Sequence, residues 1–202
     1  IMSELINNES NEKHNKMETS KTKIITRMYQ EDFKLKYGCN PNQPEATIST
    51  INGNKNPFTV LNGAVGYINM LDAIYSWQLV KELSDTIEKP CSASFKHTAP
   101  AGVGTSRPLS DTLKKIYGVE GKELTDVAIS FVRARNTDPM SSFGDFIAIS
   151  DIVDEITANL IKREVCDGIA ASDFDDEALE ILKQKKNGKF IILKMNLDYF
   201  NK

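Results

Sequence analysis

Three cysteines, two histidines and one tryptophan in 202 residues leave little material for disulfide or metal chemistry. Cys39, Cys91 and Cys166 are odd in number, far apart and without a C-x-x-C pair, which argues against a disulfide framework and a thiolate zinc site. A reducing compartment such as the cytosol fits this usage. Charge of one sign is also scarce: 25 basic and 28 acidic residues are interspersed to a formal net charge of −3. That balance gives no electrostatic footprint for nucleic acid or an anionic membrane, although a single phosphate pocket stays compatible with it. No apolar run approaches the ~20 residues that span a bilayer, and the first residues lack the apolar stretch of a signal peptide. The expectation is a soluble, cytoplasmic chain.

What is present is a hydrophobic fraction of 40% in a chain long enough for a real core. From Ile1 to about Lys23 the sequence is dominated by Asn, Ser, Glu, Lys and Thr without an aromatic residue, so residues 1–30 are read as a disordered polar tail and 31–202 as the folded domain. Ile24–Phe33 reads as a short helix, and the stretch from Lys36 to Pro44 as a turn-rich loop. Ala46–Ile51 and Phe58–Leu61 read as adjacent strands or a hairpin about a turn at Asn52-Gly53-Asn54. Ile68, Leu71, Tyr75, Leu79 and Leu83 form a helical stripe, thickened by Ala73, Ile74 and Val80 and ended by Lys89-Pro90. A strand at Cys91–His97, a loop at Pro100–Gly104, and helices at Pro108–Tyr117 and Leu124–Arg135 follow. Then come strands at Phe146–Ile149, Gly168–Ala171 and Phe190–Met195, separated by helices at Glu155–Arg163 and Asp176–Lys185. Such alternation implies α/β layers around a parallel or mixed sheet, with ligands at strand ends.

Four loops carry side chains suited to chemistry. They are Lys36-Tyr37-Gly38 with Asn40-Pro41 and Gln43; Val60-Leu61-Asn62-Gly63-Ala64 with Gly66 and Asn69; Ser94-Phe95-Lys96-His97 with Pro100-Ala101-Gly102; and Met140-Ser141-Ser142-Phe143-Gly144-Asp145-Phe146. Arg163-Glu164-Val165 and Asp167-Gly168 follow them. Taken alone, Lys96-His97 reads first as a solvent-facing charge beside a hydrogen-bonded strand-end histidine. Gly63 and Gly66 read as a helix-initiating turn, Lys36 as an exposed cation, and Asp145 and Asp167 as loop residues.

In this order, however, the four strings resemble the motifs of the AICAR transformylase domain of the bifunctional purine-biosynthesis enzyme, over about Leu35 to Met195. The resemblance implies a cytidine-deaminase-like layered αβα fold with a mixed sheet, which the family uses in two copies. It implies formyl transfer from 10-formyltetrahydrofolate to the amine of the AICAR nucleotide, with His97 taking the amine proton and Lys96 assisting transfer. It also implies nucleotide binding by Lys36, Tyr37, Asn69, Gly144 and Asp167. The residue types suit the chemistry: a delocalised amine needs a base that changes charge near neutrality, and a fixed cation stabilises charge on the formyl oxygen. Neighbours in a regular strand face opposite ways, so Lys96 and His97 can serve one site only if the strand ends or bulges there.

The chain departs from the family at Lys36, where arginine is usual, at Asn42, where histidine is usual, and at Pro139, where arginine precedes Met-Ser-Ser. Lysine keeps the charge but loses the bidentate fork. The H-x-E with P-C-x-x-C signature of zinc deaminases is absent, so no metal is expected. The resemblance further implies a homodimer whose sites draw on both subunits. A second transformylase half, with an essential asparagine, and a cyclohydrolase domain are expected to lie outside these residues. The opposing expectation is a catalytically inert nucleotide-binding or interaction module.

Overall fold

A computed structural model describes residues 24–43, 45–51 and 54–200. The anticipated tail up to Lys23, together with Pro44, Asn52 and Gly53 of the anticipated turns, lies outside these residues. Its strands are β1 Tyr29–Lys34, β2 Thr47–Ile51, β3 Phe58–Asn62, β4 Cys91–Lys96, β5 Ala99–Thr105, β6 Asp145–Val153, β7 Cys166–Phe174 and β8 Ile191–Met195. Its helices are α1 Tyr67–Ile87, α2 Asp111–Ile116, α3 Asp126–Thr137, α4 Glu155–Arg163, α5 Asp176–Lys183 and the single turn α6 Leu197–Phe200, with a 3₁₀ segment at Lys185–Gly188.

Six strands form one mixed sheet in the order β3-β8-β7-β6-β4-β5. The inner strands β6, β7 and β8 are parallel, as their helical crossovers require, while β3, β4 and β5 run antiparallel to their neighbours. Side chains alternate between two cores. Phe146, Ala148, Ala170 and Leu193 point to the α1 side, whereas Ile147, Ile149, Ile169 and Ile192 point to the side covered by α3, α4 and α5. A sheet with both faces covered explains why its inner strands read as continuous apolar runs. The helices on the second face start on side-chain caps: Thr125 accepts from the Ala128 N–H and Asp154 from the Thr157 N–H. Thr125 also donates to the Asp154 carboxylate at 2.6 Å, which ties the two helix starts together.

Four anticipated features differ. Ile24–Phe33 is not helical: Tyr29–Lys34 is β1, paired antiparallel with β2, and Phe33 packs edge-on against Phe58 with ring centroids 5.8 Å apart. Pairing with a distant segment has overridden the local pattern. β2 and β3 are not partners either, since β3 joins the main sheet beside β8. Pro100–Gly104, read as a loop, belongs to the edge strand β5. Its glycines serve helix contact, because a Cβ on Gly102 would stand 2.1 Å from the Ala134 carbonyl oxygen, and one on Gly104 2.3 Å from that of Ser130. Finally, α1 exists as anticipated but is rotated. Its buried face is Met70, Asp72, Ala73, Ser76, Trp77 and Val80, while Tyr75 of the anticipated stripe is 49% exposed.

Candidate functional site

The candidate residues gather at one end of the sheet. β4 finishes there, and because β4 is antiparallel to β6 its last residues meet the first residues of β6, with Phe95 opposite Phe146; β7 starts alongside, with Cys166 opposite Asp145. Lys96 is therefore brought beside Gly144 and the start of β7.

Lys96 is the last residue of β4 and pairs with Ala99, so His97 and Thr98 form a two-residue hairpin turn. Both have positive φ, 54° and 65°, the requirement of a type I′ turn that Asn-Gly normally meets. Left-handed backbone costs about 1–2 kcal/mol for a residue with a Cβ, and β-branched Thr98 is a particularly poor occupant. The strand also slips register between Ser94 and Phe95. It thus both bulges and ends beside the Lys96-His97 pair, which frees the two side chains from strict alternation. His97 is exposed and Lys96 half-buried.

The turn has a partner that the sequence reading missed. Asp72, on the first turns of α1 and only 4% exposed, accepts the Thr98 N–H at 2.6 Å. Burial pushes its carboxyl above the ordinary value. The Thr98 N–H, the charge of His97 and the His97 N–H oppose that rise, and nearby Asp167 adds to it. Through Asp72 the structure brings His97 and Asp167 into one electrostatic neighbourhood. Asn69 precedes Asp72 by three residues and so shares its helix face.

Lys96 donates from Nζ to the Phe143 carbonyl, and its ammonium lies 3.8 Å from where a Cβ of Gly144 would stand. Gly144 has φ of 74°, and its N–H is committed to the Val165 carbonyl at 2.8 Å. Below this loop sits a second unanticipated feature, a buried ion pair of Arg135 with Asp145. Arg135 also donates to the carbonyls of Ser142 and Val165 and pairs with Glu164 at 3.3 Å, while the Ser94 hydroxyl donates to Asp145 at 2.5 Å. The 138–144 loop is thereby fastened to β4 and to the start of β7. Its first turn is closed by Asp138, whose carboxyl is held below the ordinary range by bonds from the Ser141 hydroxyl and N–H.

Asp167 is half-exposed and ion-paired with Lys186 at 2.5 Å, a lysine held at φ 53° in the 3₁₀ segment. Asn62 donates to the carbonyls of Gly188 and Phe190 at 3.1 and 2.7 Å, so the loop before α1 is bonded to the same segment. Lys36 and Tyr37 are tied to the other side of that loop. The Lys36 N–H donates to Val65 at 2.9 Å, and the Lys36 ammonium sits 5.8 Å from the Tyr37 ring centroid. Through Val65 they stand at the entry to α1. A cavity of about 490 Å³ adjoins them, lined by Leu35, Gly38, Gln43 and Tyr67 among others. Another of about 390 Å³ lies at the opposite end of the sheet, around Ser172, Asp173 and Lys194, away from every candidate residue.

The cysteines supply no nucleophile near neutral pH in the buried positions: burial pushes Cys91 up to about 11 and Cys166 to about 12. Among the described residues no group of three or more His, Cys, Asp or Glu is placed to hold a metal ion. No helix there is long and apolar enough to cross a membrane.

Of the features missed, Asp72 offered a single cue, a carboxylate flanked by Leu71 and Ala73, but the anticipated helical stripe put it off the buried face. Arg135 and Lys186 gave none, because each is one of many cations on helical or loop segments.

The sequence aligns with known proteins along most of its length. It is 34% identical over 166 residues to the bifunctional purine biosynthesis protein PurH of Clostridium perfringens (strain 13 / Type A), an alignment covering 81% of this chain and 29% of that protein. With the protein of the same description from Clostridium botulinum (strain Okra / Type B1) it shares 31% identity over 179 residues, 87% of this chain and 31% of that one. The chain therefore spans under a third of the length of these curated relatives. The AICARFT/IMPCHase bienzyme family profile matches residues 2–201, and with the geometry just described this places the chain in the AICARFT/IMPCHase family.

Proposed function

We propose that this chain contributes to formyl transfer from 10-formyltetrahydrofolate to the exocyclic amine of AICAR in purine biosynthesis. The observation that carries the reading is the Lys96-His97 pair at a strand end, with the lysine ammonium beside Gly144 and the histidine in a strained turn over a buried carboxylate. In this reaction the amine nitrogen attacks the formyl carbon, and the bond from that carbon to the folate nitrogen breaks. His97 removes the amine proton as the new C–N bond forms, and the folate nitrogen gains a proton on leaving. Lys96 stabilises the negative charge that builds on the formyl oxygen.

Asp167, Asn69, Lys36 and Tyr37 are assigned to the nucleotide. Asp167 is paired with Lys186 in this structure, so a ligand hydroxyl there competes with a cation. The same reading includes a cytidine-deaminase-like αβα fold, a cytoplasmic homodimer, a second transformylase half completing the folate pocket, and no metal. The layered mixed sheet with helices on both faces supports the fold assignment.

The test is His97→Ala in the natural polypeptide that carries these residues. Folate-dependent formylation of AICAR should fall in kcat by about 10²–10⁴-fold, the usual cost of losing a general base. AICAR affinity, measured by isothermal titration, should change little. Unchanged turnover removes His97 from this role. AICAR binding without any turnover in the parent protein favours the inert binding module.

A further inference from the structure

The geometry points to Asp72 as the positioning residue of the site: it holds the His97-Thr98 turn in its left-handed conformation and so aims the His97 imidazole. The inference rests on the formyl-transfer reading for its catalytic consequence, but not for its structural part.

A two-residue turn with positive φ at both positions is normally occupied by Asn-Gly, because those residues adopt left-handed backbone at low cost. Here histidine and threonine occupy it, at 54° and 65°. Local preference therefore works against the turn, and something outside it must compensate. The Thr98 hydroxyl donates to the His97 carbonyl at 2.6 Å, a bond internal to the turn. The external partner is Asp72, whose carboxylate accepts the Thr98 N–H at 2.6 Å. A carboxylate accepting backbone N–H groups forms bonds about twice as strong as neutral ones.

Placement strengthens the argument. Asp72 sits on the buried face of a 21-residue helix, among Met70, Ala73 and Trp77, so its own position is fixed by packing against the sheet. Among the described residues no lysine or arginine forms an ion pair with it. The charged groups that face it are His97 from the turn and Asp167 from β7, the latter engaged with Lys186. A buried carboxylate bonded into this turn fixes the backbone of the residue assigned to take the proton.

The experiment uses Asp72→Asn, Thr98→Gly and the double variant in the natural polypeptide. Asparagine is isosteric and retains one acceptor oxygen, and on the Thr98→Gly background the turn carries less strain, so a folded protein is available for comparison in either case. Two readouts are taken. The first, independent of activity, is hydrogen exchange of the Thr98 amide, which should quicken about tenfold in Asp72→Asn as a charge-assisted bond is exchanged for a neutral one. The second is steady-state kinetics: kcat should fall about tenfold while KM for AICAR stays within about twofold, and Thr98→Gly added to Asp72→Asn should restore most of the lost kcat. Wild-type exchange at Thr98 in Asp72→Asn overturns the inference. So does a loss confined to KM, or a kcat loss that Thr98→Gly does not relieve, since both assign Asp72 to direct substrate contact. Absence of formylation in the wild-type protein defeats the formyl-transfer reading alone, and the exchange result still decides whether Asp72 holds the turn.

Discussion

Two buried carboxylates stand under the two loops of the site, and they are partnered in opposite ways. Asp145 faces Arg135, a cation that never changes charge, and the pair is enclosed with Ser94 and the carbonyls of Ser142 and Val165. Asp72 instead accepts the Thr98 backbone N–H and has the histidine of the turn, His97, beside it. The first arrangement fastens a loop, whereas the second supports the turn that carries the proposed base, His97. The difference shows how two buried aspartates in one small domain can be held in unlike ways, one by a permanent cation and one by the backbone of a turn.

The largest effect that would sharpen this contrast is on the Asp145 side. Arg135→Met leaves Asp145 buried without its cation and should cost about 3–5 kcal/mol of unfolding free energy in urea titrations. Adding Asp145→Leu should return part of it. A loss below about 1 kcal/mol would mean that the pair does not clamp the loop.

On the Asp72 side the expected signature is in pH dependence. Burial raises this carboxyl above its ordinary value of 3.8, so the folded chain binds its proton more tightly than the unfolded chain does. Such a group contributes stability that is complete below 3.8 and is lost as pH rises through the raised value. The stability difference between wild type and Asp72→Asn should therefore shrink from acid toward neutral pH. A difference that grows over that range would place the carboxyl on the other side of its ordinary value.

A smaller change is expected at Thr98. Glycine there relieves about 1–2 kcal/mol of left-handed strain and gives back about 0.5–1 kcal/mol in unfolded-chain entropy. Net stabilisation of about 0.5–1 kcal/mol should appear as a higher urea midpoint, and destabilisation would show that the turn is not strained. The smallest effect belongs to Lys186→Ala: its pair with Asp167 has both side chains more than 40% exposed, so stability should move by less than about 1 kcal/mol. A larger drop would make that pair a structural clamp like Arg135 with Asp145.

Regular elements were legible in the sequence where periodicity was strong and the packing partner was conventional. The helices at 126–137, 155–163 and 176–183 and the inner strands appear where apolar spacing places them. Legibility failed where a distant partner decided the outcome. Tyr29–Lys34 becomes a strand through pairing with β2, and Gly102 and Gly104 look like loop residues until the carbonyls of α3 are seen beside them. The Lys96-His97 pair could be singled out by its motif, together with the condition that the strand bulge or end there. The left-handed turn that meets this condition could not, because histidine and threonine carry no turn signal. Asp72 was hidden for a related reason: a stripe centred on Leu71, Tyr75 and Leu79 left it off the buried face, and only the actual rotation of α1 turns it inward.

The partnership of β3 with β8 sets a timetable for synthesis. Asn62 closes onto residues 126 and 128 positions further along the chain, and β3 has no other neighbour in the main sheet. At about 5–20 residues per second, a ribosome takes roughly 6–25 s to make the segment that covers β3 after making β3 itself. During that interval the strand leaves the exit tunnel with one apolar face and unpaired backbone groups. Nascent-chain chaperones and early strand mispairing thus compete for Phe58–Asn62 before the sheet can be completed.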